Sequence, residues 1–176
     1  HYNSSGEIDG LTNETSDEYK NSSILVIPSG ATAIASGAFD AKDHSYLNDS
    51  NIEQVILDEQ IAGGLRTRLK TIGKRAFYGC NKKLIAPIKI PSTVTSLGNA
   101  CFCESGISNV SFEDAGDRQA QISQIPEEAF YECSNLQTVS FKGTDSSKVT
   151  AVTDLFYGCY NISKIDKLSS KICKIY

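Results

Sequence analysis

Six cysteines and two histidines are the side chains in this 176-residue sequence best suited to nucleophilic or metal chemistry. Cys80, Cys133 and Cys159 each stand three residues after a phenylalanine, and Cys101 and Cys103 flank Phe102. A cysteine or serine nucleophile needs a base to take its proton. Only His1 and His44 are available, and His44 sits beside Asp43 in a polar stretch that reads as a solvated loop. A Cys/His hydrolase would require His44 within hydrogen-bond reach of a thiol or hydroxyl in a pocket. There is no phosphate-cradling glycine loop, no His-x-x-x-His pair and no Gly-x-Ser-x-Gly elbow. Cys101-Phe-Cys103 makes a poor half of a metal site, because alternate residues of an extended segment share a face but would have to converge with ligands from elsewhere. The expectation is no catalytic residue, no metal and no cofactor.

The cysteines make better sense as part of a recurring pattern. Phe39, Phe77, Phe102, Phe130 and Phe156 are spaced 38, 25, 28 and 26 residues apart, each preceded by Ala38, Ala76, Cys101, Ala129 or Leu155. Five residues before the phenylalanine comes Ile34, Ile72, Leu97 or Ile125, with Val152 one residue closer in the last repeat. Three residues earlier stand Ala31, Leu69, Val94, Ile122 and Val149. After each anchor an aliphatic leads into a short alternating run: Ile52/Val55/Leu57, Leu84/Ile88/Ile90, Ile107/Val110/Phe112, Leu136/Val139/Phe141 and Ile162/Ile165. Alternation of this kind predicts one short strand per repeat with one buried face. A period of this length predicts a solenoid, because one unit cannot bury its own apolar side and must stack on its neighbours. A buried thiol then serves as a small apolar filler. A Cys133–Cys159 bridge stays open, since neighbouring repeats stack near disulfide distance.

Length and composition agree with one packed domain. Apolar residues make up 40% and charged residues 22%, which excludes global disorder. The longest apolar runs are too short to cross a membrane. Residues 1–23 are polar and Asn/Ser-rich and read as a linker or N-terminal cap, with the repeat domain at 24–176. The chain starts at His1 and contains no methionine, which implies a mature form or an excised fragment. Six Asn-x-Ser/Thr sequons, at Asn3, Asn13, Asn21, Asn48, Asn109 and Asn161, carry glycans only in a eukaryotic source.

Ile90-Pro-Ser-Thr-Val94-Thr-Ser-Leu97-Gly98 and Ile72-Gly-Lys-Arg-Ala76-Phe77-Tyr78-Gly79-Cys80 together resemble the BspA-like (treponemal-type) leucine-rich repeat family. Ala129-Phe130-Tyr131-Glu-Cys133-Ser-Asn135-Leu136 and Phe156-Tyr-Gly-Cys159-Tyr-Asn161-Ile162 follow the same pattern. The first repeat departs from it, with Asp40-Ala-Lys42 in place of Tyr-x-Cys. The resemblance implies an α/β repeat solenoid: a right-handed superhelix of about five to six coils, with a short strand per coil and turns or short 3-10 segments between. It also implies a secreted or cell-surface module for adhesion or protein binding, with a host, matrix or glycan partner. It supplies no catalytic residues. A structural spacer within a larger surface protein is the alternative.

Charge placement nominates surfaces for that role. Residues 61–103 carry eight basic and no acidic side chains: Arg66, Arg68, Lys70, Lys74, Arg75, Lys82, Lys83 and Lys89. Residues 1–60 carry 11 acidic and two basic ones, and the whole chain has a formal charge of −4. The basic run is therefore expected to form a positive band suited to an anionic partner such as a sulfated or sialylated glycan. Nucleic acid is not expected from an acidic chain without a binding motif. Tyr131 and Tyr157 share the position after the phenylalanine and nominate a small aromatic patch. A monomer is the expected state.

Overall fold

Each alternating run can bury only every second side chain, and the structure places those side chains against one continuous apolar core. The structure, a computed structural model, describes residues 1–10, 21–43, 51–57, 67–80, 84–113, 122–142, 150–151 and 154–166. Two series of short strands alternate along the chain. The first comprises β1 (Ile24–Val26), β3 (Gln54–Ile56), β5 (Ile88–Ile90), β7 (Asn109–Phe112), β9 (Thr138–Phe141) and β11 (Lys164–Ile165). The second comprises β2 (Ala33–Ile34), β4 (Thr71–Ile72), β6 (Ser96–Leu97), β8 (Gln124–Ile125) and β10 (Thr150–Ala151). The strands of both series pair parallel, β1-β3 and β5-β7-β9-β11 in the first, β2-β4-β6 and β8-β10 in the second. Parallel pairing follows from repetition: equivalent segments of successive repeats run the same way and meet in register, as Val110 does with Val139 and Phe112 with Phe141.

Two expectations are corrected here. No described residue is helical, so the α part of the expected α/β class is absent from them, and of the expected turns or short 3-10 segments it is turns that join the strands. Each full repeat also contributes two strands rather than one. The aliphatic five residues before each phenylalanine lies in a two-residue strand, too short to show an alternation in sequence. In the last repeat Ala151, not Val152, pairs with Ile125; Val152 and Val149 lie outside the described residues.

Proline explains where the second series divides. Gly73 N–H donates to Ile34 O and Gly98 N–H to Ile72 O, extending the β2-β4-β6 ladder by one bond at each step. The corresponding residue of the next repeat is Pro126, which has no N–H to give, and β8 is not bonded to β6. The glycines are needed for approach rather than for dihedral freedom. A Cβ on Gly98 would lie 2.2 Å from Lys74 N, and one on Gly73 would lie 2.6 Å from Ser36 N.

The five repeat phenylalanines form a stack. Ring centroids lie 5.2 Å apart for Phe39–Phe77, 5.3 Å for Phe77–Phe102, 5.7 Å for Phe102–Phe130 and 6.0 Å for Phe130–Phe156, with planes within 13° of parallel. All five rings are buried. Beside β2, Ile8 bonds through both its N–H and its carbonyl, to Ala33 O and from Ala35 N–H, and its side chain is buried.

Candidate binding surface

The turn that carries each phenylalanine also builds an exposed ridge. Around Phe102 the N–H groups of Ala100, Phe102 and Glu104 donate to Glu127, Ala129 and Tyr131 of the next repeat, at 3.0, 3.0 and 2.8 Å. Around Phe77 those of Arg75, Phe77 and Gly79 do the same with Asn99, Cys101 and Cys103. Such a ladder needs alternate N–H groups turned to one side, and positive φ supplies the reversals. Gly37, Arg75, Ala100, Glu128 and Asp154, each two residues before the phenylalanine, have φ of 69, 55, 56, 57 and 60°. Gly79, Glu104, Glu132 and Gly158, two residues after it, have φ of 74, 53, 54 and 77°. Left-handed backbone in non-glycine residues is unfavourable, so hydrogen bonding across the stack must hold it. Because the backbone repeats, side chains at equivalent positions line up along the ridge.

The thiols lie beneath this ridge. Cys80, Cys133 and Cys159 Sγ donate to the carbonyls of Phe39, Phe102 and Phe130 in the preceding repeat, at 3.3, 3.0 and 2.9 Å. They are thus both filler and donors, and at Phe102 and Phe130 the thiol adds to a backbone bond that the same carbonyl accepts from Ser105 or Cys133 N–H. Ser105 replaces cysteine in the third repeat, with its Oγ 3.3 Å from Cys133 Sγ. All five described cysteines are free and buried. Burial pushes the Cys80 thiol up to about 12, with Asp40 adding to it. Burial, then Glu104, pushes Cys103 up to about 12 as well. A thiol held in this way is a poor nucleophile at neutral pH. His44 and Cys173 lie outside the described residues. His1 is exposed, with Nδ1 2.6 Å from Asp9 Oδ1.

The ridge has two chemically different halves. In the first, Tyr78 is enclosed by charge. The Lys42 ammonium lies 4.5 Å and the Arg75 guanidinium 4.3 Å from its ring centroid. Tyr78 OH donates to Glu104 Oε1 at 2.7 Å, and Lys42 Nζ donates to the same oxygen at 2.9 Å. The Lys42 hydrogen bond holds the Glu104 carboxyl below the usual carboxylate range. Arg75 Nη2 also reaches the buried Asp40 carboxylate at 2.7 Å. Lys42 and Glu104 were not among the residues nominated from sequence. Their signal was present, since Lys42, Tyr78 and Glu104 occupy nearby positions of three successive repeats.

In the second half Tyr131 and Tyr157 stack, with centroids 5.0 Å apart and planes 16° from parallel. Tyr131 is half-buried, Tyr157 is 41% exposed, and Tyr160 three residues on is 76% exposed. The nominated pair is thus brought together at the surface.

The nominated cations spread over several parts of the molecule. Arg68 and Lys70 are exposed just before β4 in the second strand series, and Lys74 is exposed just after it. Lys89 is the exposed middle residue of β5, in the first series. Arg75 is half-buried against Tyr78 and Asp40. Arg66, Lys82 and Lys83 lie outside the described residues. Where β6 and β8 part, Thr95, Ser96, Leu97, Asn99, Ser123, Gln124 and Pro126 line a shallow, mostly polar depression of about 300 Å³.

The pattern of the BspA type leucine rich repeat region matches residues 43–176 in six copies, and the chain belongs to that family. A leucine-rich repeat protein from Eubacterium ventriosum has a similar solved structure, with a TM-score of 0.63 and 22% identity over 82% of this chain and 32% of that one. A leucine rich cell surface protein from Faecalibacterium prausnitzii gives 0.45 and 21%, over 89% of this chain and 45% of that one. At 22% identity the likeness to the first concerns the fold. The chain spans about a third of the first protein and under half of the second. No protein of curated function matches the sequence.

Proposed function

We propose that this chain is an extracytoplasmic interaction module that adheres to a protein or glycan partner through the tyrosine-bearing half of its turn ridge. The carrying observation is the stacked Tyr131–Tyr157 pair, aligned by the repeat and left open to solvent with Tyr160 close by in sequence. Aromatic side chains held rigidly at a surface lose little entropy on binding and bury much area, which is why interfaces favour them. Family membership supports a non-catalytic binding role and a secreted or surface location. In this reading the repeats wind as a right-handed superhelix of five to six coils, and the chain acts as a monomer.

A second reading uses the basic residues. Arg68, Lys70 and Lys74 are exposed within seven positions, and no ion pair engages them among the described residues. They suit an anionic glycan, together with Arg66, Lys82, Lys83 and Lys89.

The test is a screen of the whole chain against immobilised matrix proteins and sulfated or sialylated glycans. Tyr131→Ala/Tyr157→Ala should abolish the hit. A hit that survives this change, and is lost on raising salt or on changing Arg68, Lys70 and Lys74 to Gln, transfers the role to the basic residues. No hit at all favours a spacer between other parts of a larger surface protein.

A further inference from the structure

Tyr78 and the Tyr131–Tyr157 pair occupy the same position of the second, fourth and fifth repeats, with Cys103 there in the third, and the molecule treats them in opposite ways. Tyr78 is covered by two cations from its own chain, one of them Arg75. At the position of Arg75 the fourth and fifth repeats carry Glu128 and Asp154, with nearly the same left-handed φ, 57 and 60° against 55°. Side chains leaving equivalent backbone at equivalent positions start in the same direction, so carboxylates flank the second tyrosine cluster where a guanidinium covers the first. On the other side of Tyr131 stands Glu132, at the position of Gly79 in the second repeat and of Gly158 in the fifth. The absence of a side chain at Gly158 leaves room for Glu132, since a Cβ there would come within 2.8 Å of Glu132 Cγ.

Glu128, Glu132 and Asp154 are all exposed, and no ion pair engages any of them among the described residues. The acids of the first half are engaged instead: Glu104 by Lys42, and Asp40 by Arg75. Tyr131 feels the local field, for partial desolvation and then Glu132 push its hydroxyl above the ordinary value.

We propose that the Tyr131–Tyr157 pair, flanked by Glu128, Glu132 and Asp154, is a docking surface for an arginine- or lysine-bearing segment of a partner protein. This rests on the reading that the tyrosine half of the ridge is the interaction face, and deepens it by giving the partner's chemistry. The model for the contact is internal to the chain. A cation lies against the tyrosine ring while a neighbouring carboxylate neutralises it, as Arg75, Tyr78 and Asp40 do together. Ring quadrupole and carboxylate both attract the cation, and a planar guanidinium packs on the ring better than an ammonium does. An arginine segment is therefore preferred to a lysine one. A sulfated glycan is disfavoured at this face by the three carboxylates, so the partner differs from the one suited to the basic residues.

The experiment titrates a labelled Gly-Arg repeat peptide into the intact chain, following amide shifts by NMR and affinity by calorimetry. A Gly-Lys peptide and a Gly-Glu peptide of equal length run alongside. Shifts should cluster at 128–132 and 154–160, with affinity in the order Arg, Lys, and no binding for Glu. Glu128→Gln/Glu132→Gln should weaken the arginine peptide about tenfold, as loss of two close charge partners implies. The control Asp43→Asn/Glu53→Gln makes the same net charge change elsewhere and should alter it less than about twofold. Equal loss in both variants would mean general attraction to an acidic chain and overturns the proposal. So would shifts centred away from the tyrosines.

Tyr157→Ala separates this proposal from the reading beneath it. If the screened partner is lost with Tyr157→Ala yet unaffected by Glu128→Gln/Glu132→Gln, the face stands and the cationic partner falls. If Tyr157→Ala leaves the partner bound, the face itself is wrong. Self-association that Glu128→Gln/Glu132→Gln dissolves would place the chain's own cations there and overturn the assignment to a foreign segment.

Discussion

Replacing Phe77 by alanine removes the ring that has a stacked neighbour at 5.2 Å on one side and 5.3 Å on the other. Phe77 is fully buried, so truncation costs both the transfer of its ring from water and the cavity left behind. Buried Phe→Ala changes cost about 3–5 kcal/mol. Two stacked contacts at about 0.5–1.5 kcal/mol each place Phe77 towards the upper end of that range. Phe39 has one described ring neighbour, Phe77 itself. Phe39→Ala is therefore expected to cost about 1 kcal/mol less than Phe77→Ala, the worth of one stacked pair. Phe130→Ala, between neighbours at 5.7 and 6.0 Å, should fall between the two.

The assay is urea unfolding followed by circular dichroism, with the slope m compared between variants, because stacked repeats can lose cooperativity when an interior one is weakened. A constant m with a lowered midpoint gives the stability directly. A reduced m would show the stack dividing at the altered ring, which still obeys the reasoning. A loss below about 1 kcal/mol at both Phe77 and Phe130 refutes it, since no buried, doubly stacked ring is lost so cheaply.

Other consequences follow from the same geometry. Gly98→Ala sets a Cβ 2.2 Å from Lys74 N and should destabilise by about 2 kcal/mol or more in the same unfolding assay, since only backbone movement relieves the clash. Ala100→Gly should be neutral or stabilising by up to about 1 kcal/mol, because φ of 56° strains alanine and not glycine, whereas Ala129→Gly should cost about 1 kcal/mol or more. The five described thiols should resist a disulfide reagent at pH 8 until denaturant is added, and rapid native labelling of more than one thiol per chain would contradict their burial. Burial raises the Cys80 thiol from 9.0 to about 12, so the folded chain keeps a proton that the unfolded chain releases. Stability from this group is complete below pH 9 and falls as pH climbs towards 12, by about 1.4 kcal/mol per unit. A midpoint that holds constant from pH 9 to 11 would show that Cys80 is accessible.

Much of this arrangement was legible in the residues. Phenylalanine at a steady interval, with an aliphatic five positions before and alternation after, specifies a stack because every such residue must be buried and none can be within one repeat. What escaped was local or angular. The second strand of each repeat is two residues long, and Thr71-Ile72 carries no period to read. The turns keep their shape through positive φ at Arg75, Ala100, Glu128 and Asp154, where residue type gives no glycine to signal it. Position along the chain tells the level of a basic residue in the stack but not its side, so Lys89 and Lys70 belong to different strand series. Tyr131 and Tyr157 were legible as a pair because they share one repeat position, and equal positions share a side.

Hydrogen exchange of the chain with and without a partner captured in the surface screen tests the interaction face most directly. The account predicts new protection confined to residues 127–133 and 154–160, with the strands β5 and β7 and the residues before β4 unchanged. Protection centred on 67–75, with the tyrosine turns exchanging as before, would contradict it.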